Sequence, residues 1–126
     1  MSTLSAKTPQ NSEYQRNLAI YRTELARAQV ELGQLAAALG VLDNVCETLE
    51  LSVQADPGST TYRYDLGSAH RLAARASYRN GDKDTARRRI EQAAIIFEQL
   101  REQKALRDSD QVLLQELEQE RAEYAR

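Results

Sequence analysis

The feature that most constrains the fold of this chain is an internal repeat with a period of 48 residues. Shifting the sequence by 48 positions places Tyr14 on Tyr62 and Leu18 on Leu66. The same shift aligns further identical residues: Ala26-Arg27-Ala28 with Ala74-Arg75-Ala76, Gly33 with Gly81, Ala38 with Ala86, and Glu50 with Glu98. Because a single short unit cannot bury its own apolar face, a copied unit indicates a stack of similar units.

The composition predicts that each unit is helical. The 126 residues contain only five Gly and two Pro, and the rest is rich in Ala, Leu, Glu, Arg and Gln. These are the strongest helix formers, so we expect an all-α protein. A chain of this length fits one compact domain.

Turn and capping residues divide the first copy into two helices. After a disordered leader at residues 1–11, Ser12 and Gln15 form a capping box, and we expect a helix from about Glu13 to Leu32. Its apolar face would be Leu18, Tyr21, Leu25, Ala28 and Leu32. Gly33 suits the positive φ of a helix C-terminus. A second helix then carries Leu35, Ala38, Leu39, Leu42, Val45, Cys46, Leu49 and Val53, and repeat 1 covers about residues 13–55.

The second copy follows the break at Asp56-Pro57-Gly58 and covers about residues 59–105. Ser59 or Thr60 would cap its first helix, and Asp82 its second. The first helix carries Tyr62, Leu66, Ala69, Ala73 and Ala76, and the second carries Ala86, Ile90, Ala93, Ala94, Phe97 and Leu100. A fifth helix, at about residues 109–125, starts at the acidic Asp108-Ser109-Asp110 and would cap the stack.

A pattern of Leu, small residue, turn Gly, Ala, large apolar residue and Ala can be laid down in both copies. It comprises Leu25, Ala26, Gly33, Ala38, Leu42 and Val45, and then Ala73, Ala74, Gly81, Ala86, Ile90 and Ala93. In this pattern the chain resembles the tetratricopeptide repeat family. The common period of that family is about 34 residues, so the helices here would be longer. Arg22 and His70 also stand where the family has a large aromatic residue.

The resemblance implies antiparallel helix hairpins stacked as an α-solenoid, with the first helix of each repeat lining a concave groove. The implied groove positions are Thr23, Arg27, Val30 and Glu31, then Arg71, Arg75, Tyr78 and Arg79, and in the last helix Glu116, Gln119 and Glu123. We therefore predict a non-enzymatic adaptor that binds a protein or peptide segment, possibly an acidic one. The predicted contacts are Arg27, Glu31, Arg71, Arg75, Tyr78 and Arg79.

A row of arginines along the first helix of repeat 2 supports an acidic ligand: Arg71, Arg75 and Arg79 are spaced i, i+4 and i+8. Between Arg71 and Ile90 seven basic and two acidic side chains give a local charge of +5, whereas the whole chain has −2. Arginine can grip a carboxylate through two parallel hydrogen bonds. Alternatively, the row is a solvated face whose arginines pair with Glu116, Glu120 and Glu123, where exposed pairs contribute about 0–1 kcal/mol each. A nucleic-acid-binding module using Arg71 to Arg89 is a third hypothesis.

A heptad pattern leaves a different architecture open. Positions 18, 25, 32, 39, 46 and 53, with 21, 28, 35, 42 and 49, are all apolar. This is the pattern of one long coiled-coil helix across residues 13–55, which would make the chain a self-associating structural protein. Gly33 and Gly40 would weaken such a helix.

Residues suited to catalysis or metal binding are few. The chain has one His and one Cys, and it lacks phosphate-binding, nucleophile-elbow and zinc-protease motifs. We expect His70 to be a packing residue, Cys46 to be a small buried apolar residue, and the protein to have neither enzymatic activity nor a cofactor or metal. The sequence shows no signal peptide and no membrane-spanning run, so we expect a cytoplasmic protein.

Overall fold

The computed structural model describes residues 9–126, with side-chain surroundings from Ser12 onward. This part of the chain forms five α-helices and one short 3-10 helix, and it contains no strand. The helices are α1 (Pro9–Glu31), α2 (Leu35–Ala55), α3 (Thr60–Arg79), α4 (Lys83–Glu102) and α5 (Gln111–Tyr124), with the 3-10 helix at Asp108–Asp110. The prediction of an all-α protein with five helices is confirmed.

Glycines with positive φ separate the helices within each repeat. Gly33 has φ +79° and Gly81 has φ +88°. At the first turn the amide of Gln34 donates to the carbonyl of Gln29 at 2.8 Å, and at the second the amide of Asp82 donates to that of Ser77 at 2.9 Å. These are the wrap-around bonds that end a helix at a left-handed glycine. The hypothesis of one continuous helix across residues 13–55 is therefore wrong.

The predicted caps of α3 and α4 are present. The Ser59 hydroxyl accepts the amide of Tyr62 at 3.2 Å, and the Asp82 carboxylate accepts the amide of Thr85 at 3.1 Å. The start of α1 differs from the prediction: the helix begins at Pro9 rather than at Glu13, so residues 9–11 are helical and Ser12 lies within the helix rather than at its cap. Proline favours the first helical position, where its fixed φ fits and its missing amide is not needed. Residues 1–8 of the predicted leader lie outside the described residues.

The helices form a stack in which α3 lies at the centre. Helices α1 and α2 form one hairpin, α3 and α4 form the next, and α5 packs against α4. Helix α1 runs parallel to α3, because the Arg16 guanidinium near the start of α1 meets Asp65 near the start of α3 at 2.8 Å. Helix α3 buries residues on two sides, facing α2 with Leu66, Ala69, Ala73 and Ala76, and α4 with Gly67 and Ala74. Small side chains at most of these sites let α3 approach both neighbours closely.

The core of the second hairpin agrees with the prediction, whereas that of α1 does not. All six apolar residues predicted for α4 are buried, with Phe97 fully so. On α1 the buried residues are Ala19, Ala26 and Val30, and the predicted core face is turned outward, with Tyr21 68% and Leu32 72% exposed. Helix α1 carries two apolar faces, and only the one with smaller residues packs against α2.

Candidate partner-binding groove

Helices α1 and α3 lie side by side and leave an open cleft of about 250 Å³ between them. The buried Ala19 and Leu49 form its floor. Its walls combine apolar, hydroxyl and charged side chains: Ile20, Thr23, Glu24 and Arg27 from α1, and Asp65 and Ser68 from α3. A cleft with this lining can take an apolar side chain on its floor and hydrogen-bonding groups at its walls.

Two of the four groove positions predicted on α1 line this cleft. Thr23 and Arg27 line it, whereas Val30 is buried against α2 and α3. The Arg27 guanidinium lies 3.5 Å from the Glu24 carboxylate, and Arg79 lies 3.8 Å from Glu31. The side chains of Arg27 and Arg79 are 46% and 49% exposed, so both guanidinium groups remain within reach of a ligand.

The other predicted contacts on α3 are engaged by α5. Arg71 donates from Nε and Nη2 to the two carboxylate oxygens of Glu120 at 2.8 and 2.9 Å, and also to Glu116 at 3.0 Å. Arg75 lies 3.5 Å from the same Glu120 carboxylate. The ring of Tyr78 stacks on Tyr124, with centroids 4.6 Å apart and an interplanar angle of 28°. Each arginine of the predicted row thus has a carboxylate of this chain within 4 Å.

The Arg71–Glu120 pair is the strongest of these contacts. The side chains of Arg71 and Glu120 are only 17% and 15% exposed. Burial alone would lower the pKa of Arg71, but the bonds to Glu120 and Glu116 outweigh it and raise that pKa. A two-pronged, half-buried pair of this kind holds two helices together, whereas the exposed pairs of Arg27 and Arg79 are weak. Replacing Arg71 would therefore disturb the position of α5.

A buried polar cluster joins α2, α3 and α4. Arg89 Nη1 lies 3.1 Å from His70 Nδ1 and 3.5 Å from Cys46 Sγ, and Arg89 Nη2 donates to Asp43 at 2.5 Å. Guanidinium only donates, so His70 Nδ1 accepts and the imidazole proton is on Nε2. Burial, and next the charge of Arg89, lowers the pKa of His70 to about 4. Burial raises the pKa of the Cys46 thiol to about 11. Both groups are neutral at pH 7, as befits packing residues rather than a thiolate–imidazolium pair.

The sequence gives no direct indication of this cluster, because Arg89 stands in the basic run Arg87-Arg88-Arg89. Helix geometry separates the three arginines, since Arg88 is exposed while Arg89 is turned toward α2 and α3. The repeat period could have indicated some of these ion pairs. Opposite charges about one period apart are paired: Arg16 with Asp65 and Arg71 with Glu120, each 49 residues apart, and Asp43 with Arg89, 46 apart. Neighbouring repeats place such positions side by side.

Comparison of the chain with models of protein families, with curated proteins and with solved structures found no match. Among the described side chains, no three His, Cys, Asp or Glu residues converge to hold a metal ion. None of the helices between Pro9 and Tyr124 has the length and the apolar run needed to cross a membrane.

Proposed function

We propose that this protein is a non-enzymatic interaction adaptor that binds an extended partner segment in the cleft between α1 and α3. The observation that carries the proposal is the cleft itself, because it lies where the resemblance to tetratricopeptide repeats implies a groove. The stacked helix hairpins provide the parallel pair of first helices that such a groove requires. Arg27 and Arg79, with Glu31 beside them, are the contacts we assign to the ligand.

Two exposed ion pairs suit an acidic segment: Arg27–Glu24 within the cleft, and Arg79–Glu31 outside its lining residues. A ligand carboxylate that displaces Glu24 from Arg27, or Glu31 from Arg79, replaces a pair worth about 0–1 kcal/mol. Displacing Glu120 from Arg71 would instead break a half-buried, two-pronged contact. We therefore expect ligand binding to be centred on the α1 side of the arginine row, while Arg71, Arg75 and Tyr78 hold α5 in place.

The test is selection from a displayed library of short random peptides with the full-length protein. We expect enriched peptides to carry Asp or Glu together with an apolar residue, and to lose most of their affinity for an Arg27→Glu/Arg79→Glu variant. Fluorescence anisotropy with a selected peptide measures the loss. The absence of any enriched peptide would contradict the proposal.

A matched control separates the groove from general charge effects. Lys83 and Arg88 are exposed on α4, outside the cleft, so Lys83→Glu/Arg88→Glu changes the net charge by the same amount. This variant should bind the selected peptides as well as the unchanged protein does. Equal losses in the two variants would show that binding follows net charge rather than the cleft.

A further inference from the structure

The outward face of α1 carries an apolar stripe that nothing in the described part of the chain covers. The stripe consists of Tyr14, Leu18, Tyr21, Leu25, Ala28 and Leu32. Four of its members are large and well exposed: Tyr14 at 61%, Tyr21 at 68%, Leu25 at 43% and Leu32 at 72%. The six positions of the stripe are spaced alternately by four and three residues, which is the spacing of a helix–helix seam. Monomeric proteins seldom expose a continuous apolar surface of this length without a use for it.

The internal repeat identifies this stripe as a helix-packing face. Adding 48 to Leu18, Tyr21, Leu25 and Ala28 gives Leu66, Ala69, Ala73 and Ala76 on α3, which are all buried against α2. Adding 48 again gives positions on α5 that include Leu117 and Tyr124, both buried against α3 and α4. The same register is therefore covered by a preceding helix on α3 and α5, and within residues 12–126 it is uncovered on α1 alone.

The opposite end of the stack does not offer a matching surface. The residues of α1 that pack against its following helix are Ala19 and Ala26, together with Val30. Their counterparts two periods later are Gln115, Ala122 and Arg126, which are exposed and largely polar. A head-to-tail contact between two chains would place the apolar stripe against this polar surface. A head-to-head contact would place one apolar stripe against the other.

We infer that the α1 stripe is the interface of a twofold homodimer, in which α1 packs against α1 of a second copy. Such a contact is self-complementary, and assembly stops at two chains because the stripe of each chain is buried against the other. The stripe carries no charge, and its borders carry Arg22 and two acidic residues, Glu24 and Glu31, so the repulsion between copies is small. None of the six stripe residues lines the cleft, although Glu24 at the border does, and the inference does not rest on the proposed ligand.

The available area is sufficient for a reversible dimer. Helix α1 has 23 residues and is about 34 Å long. With two exposed tyrosines and three leucines along it, each copy would bury roughly 600 Å². Counted over both copies, this area of about 1,200 Å² is at the lower end of specific protein–protein interfaces. We therefore expect a dissociation constant in the micromolar range rather than the nanomolar range.

The experiment is analytical ultracentrifugation of the full chain from about 1 to about 300 µM, a range that brackets the expected affinity. We expect a reversible monomer–dimer equilibrium for the unchanged protein. Tyr21→Glu should raise the dissociation constant at least about 100-fold, because each dimer would bury two unpaired carboxylates in the seam. Tyr21 is exposed in the monomer, so the helical circular dichroism of the variant should be unchanged.

Ile95→Glu provides the matched control. Ile95 is 55% exposed on α4 and lies off the stripe, so this variant introduces the same charge and should still dimerise. A strictly monomeric wild-type chain at the highest concentration would overturn the inference and leave the stripe to a different occupant. Undiminished dimerisation of Tyr21→Glu, or equal loss in Ile95→Glu, would also overturn it. Peptide binding by Tyr21→Glu separates this result from the fate of the cleft.

Discussion

At the scale of single residues, the role of a charged side chain depends on what lies one repeat period away. Arg71 and Arg27 are both predicted groove positions, yet Arg71 is held by Glu120 of α5, whereas Arg27 pairs with Glu24 of its own helix. Arg88 and Arg89 are adjacent in sequence, yet only Arg89 reaches the His70–Cys46 cluster. Residue type therefore predicts the chemistry of a contact, whereas the packing of the helices determines which residue makes it.

His70 makes stability depend on pH in a defined direction. Its pKa is about 4 in the folded protein and about 6.5 in an unfolded chain. The unfolded state therefore binds more protons between these values, so the contribution of His70 is fully present above pH 6.5 and falls as the pH is lowered toward 4. The loss from this group approaches about 3 kcal/mol. His70→Gln removes this titrating group, so the free energy of unfolding of the variant should depend less on pH between 6.5 and 4.

Urea unfolding at a series of pH values, followed by circular dichroism, measures this effect. The difference between wild type and His70→Gln isolates the histidine from the carboxylates, which titrate in both proteins. If the free energies of unfolding of the two proteins changed in parallel between pH 6.5 and 4, the burial of a neutral imidazole would be contradicted.

At the scale of helices, the role of a glycine depends on its position. Gly33 and Gly81 end helices through positive φ. Gly40 lies within α2 and has no atom within 4 Å of an added Cβ, whereas an added Cβ at Gly67 of α3 would lie 3.0 Å from the Phe97 ring and 3.2 Å from Ile96. The Phe97 ring cannot move aside freely, because it packs edge-on against Tyr64 with centroids 5.4 Å apart.

Alanine substitutions at the two helical glycines should change stability in opposite directions. Gly40→Ala should stabilise the protein by about 0.5–1 kcal/mol, since alanine loses less backbone entropy in a helix. Gly67→Ala gains the same propensity but forces the α3–α4 contact apart, and we expect a net loss of about 1–2 kcal/mol. Chemical denaturation of both variants under one condition checks the pair. Stabilisation by Gly67→Ala would show that the α3–α4 contact is looser than its geometry indicates.

At the scale of the whole molecule, the stack has two unequal ends. Helix α3 is covered on both sides, but α5 packs on one side only and is tied to α3 through Arg71, Tyr78 and the Tyr64 hydroxyl, which donates to Asp110 at 3.0 Å. In a stack of units that contact only their neighbours, the end units open most easily. We therefore expect α5 to exchange its amide hydrogens faster than α3.

Removing the Arg71 contact should loosen α5 selectively. Arg71→Met keeps most of the side-chain volume but removes the paired bonds to Glu120, which we value at about 1.5 kcal/mol. Hydrogen exchange in α5 should then accelerate by about 10-fold, while α1 is unaffected. Arg87→Met, which removes the exposed pair with Asp84 on α4, is the control and should change little. Uniform acceleration across the chain would mean that α5 opens only with the whole domain.

The sequence by itself determined the helices and the breaks between them, because these depend on local backbone chemistry. Positive φ at Gly33 and Gly81, the proline at position 57 and the caps at Ser59 and Asp82 act within a few residues. The core of α4 was also predictable, because that helix has a single apolar face. Only the tertiary structure decided which of the two apolar faces of α1 is covered, and which arginines have a carboxylate beside them. Both depend on which helix lies alongside, and a pattern along one helix carries no information about its neighbours.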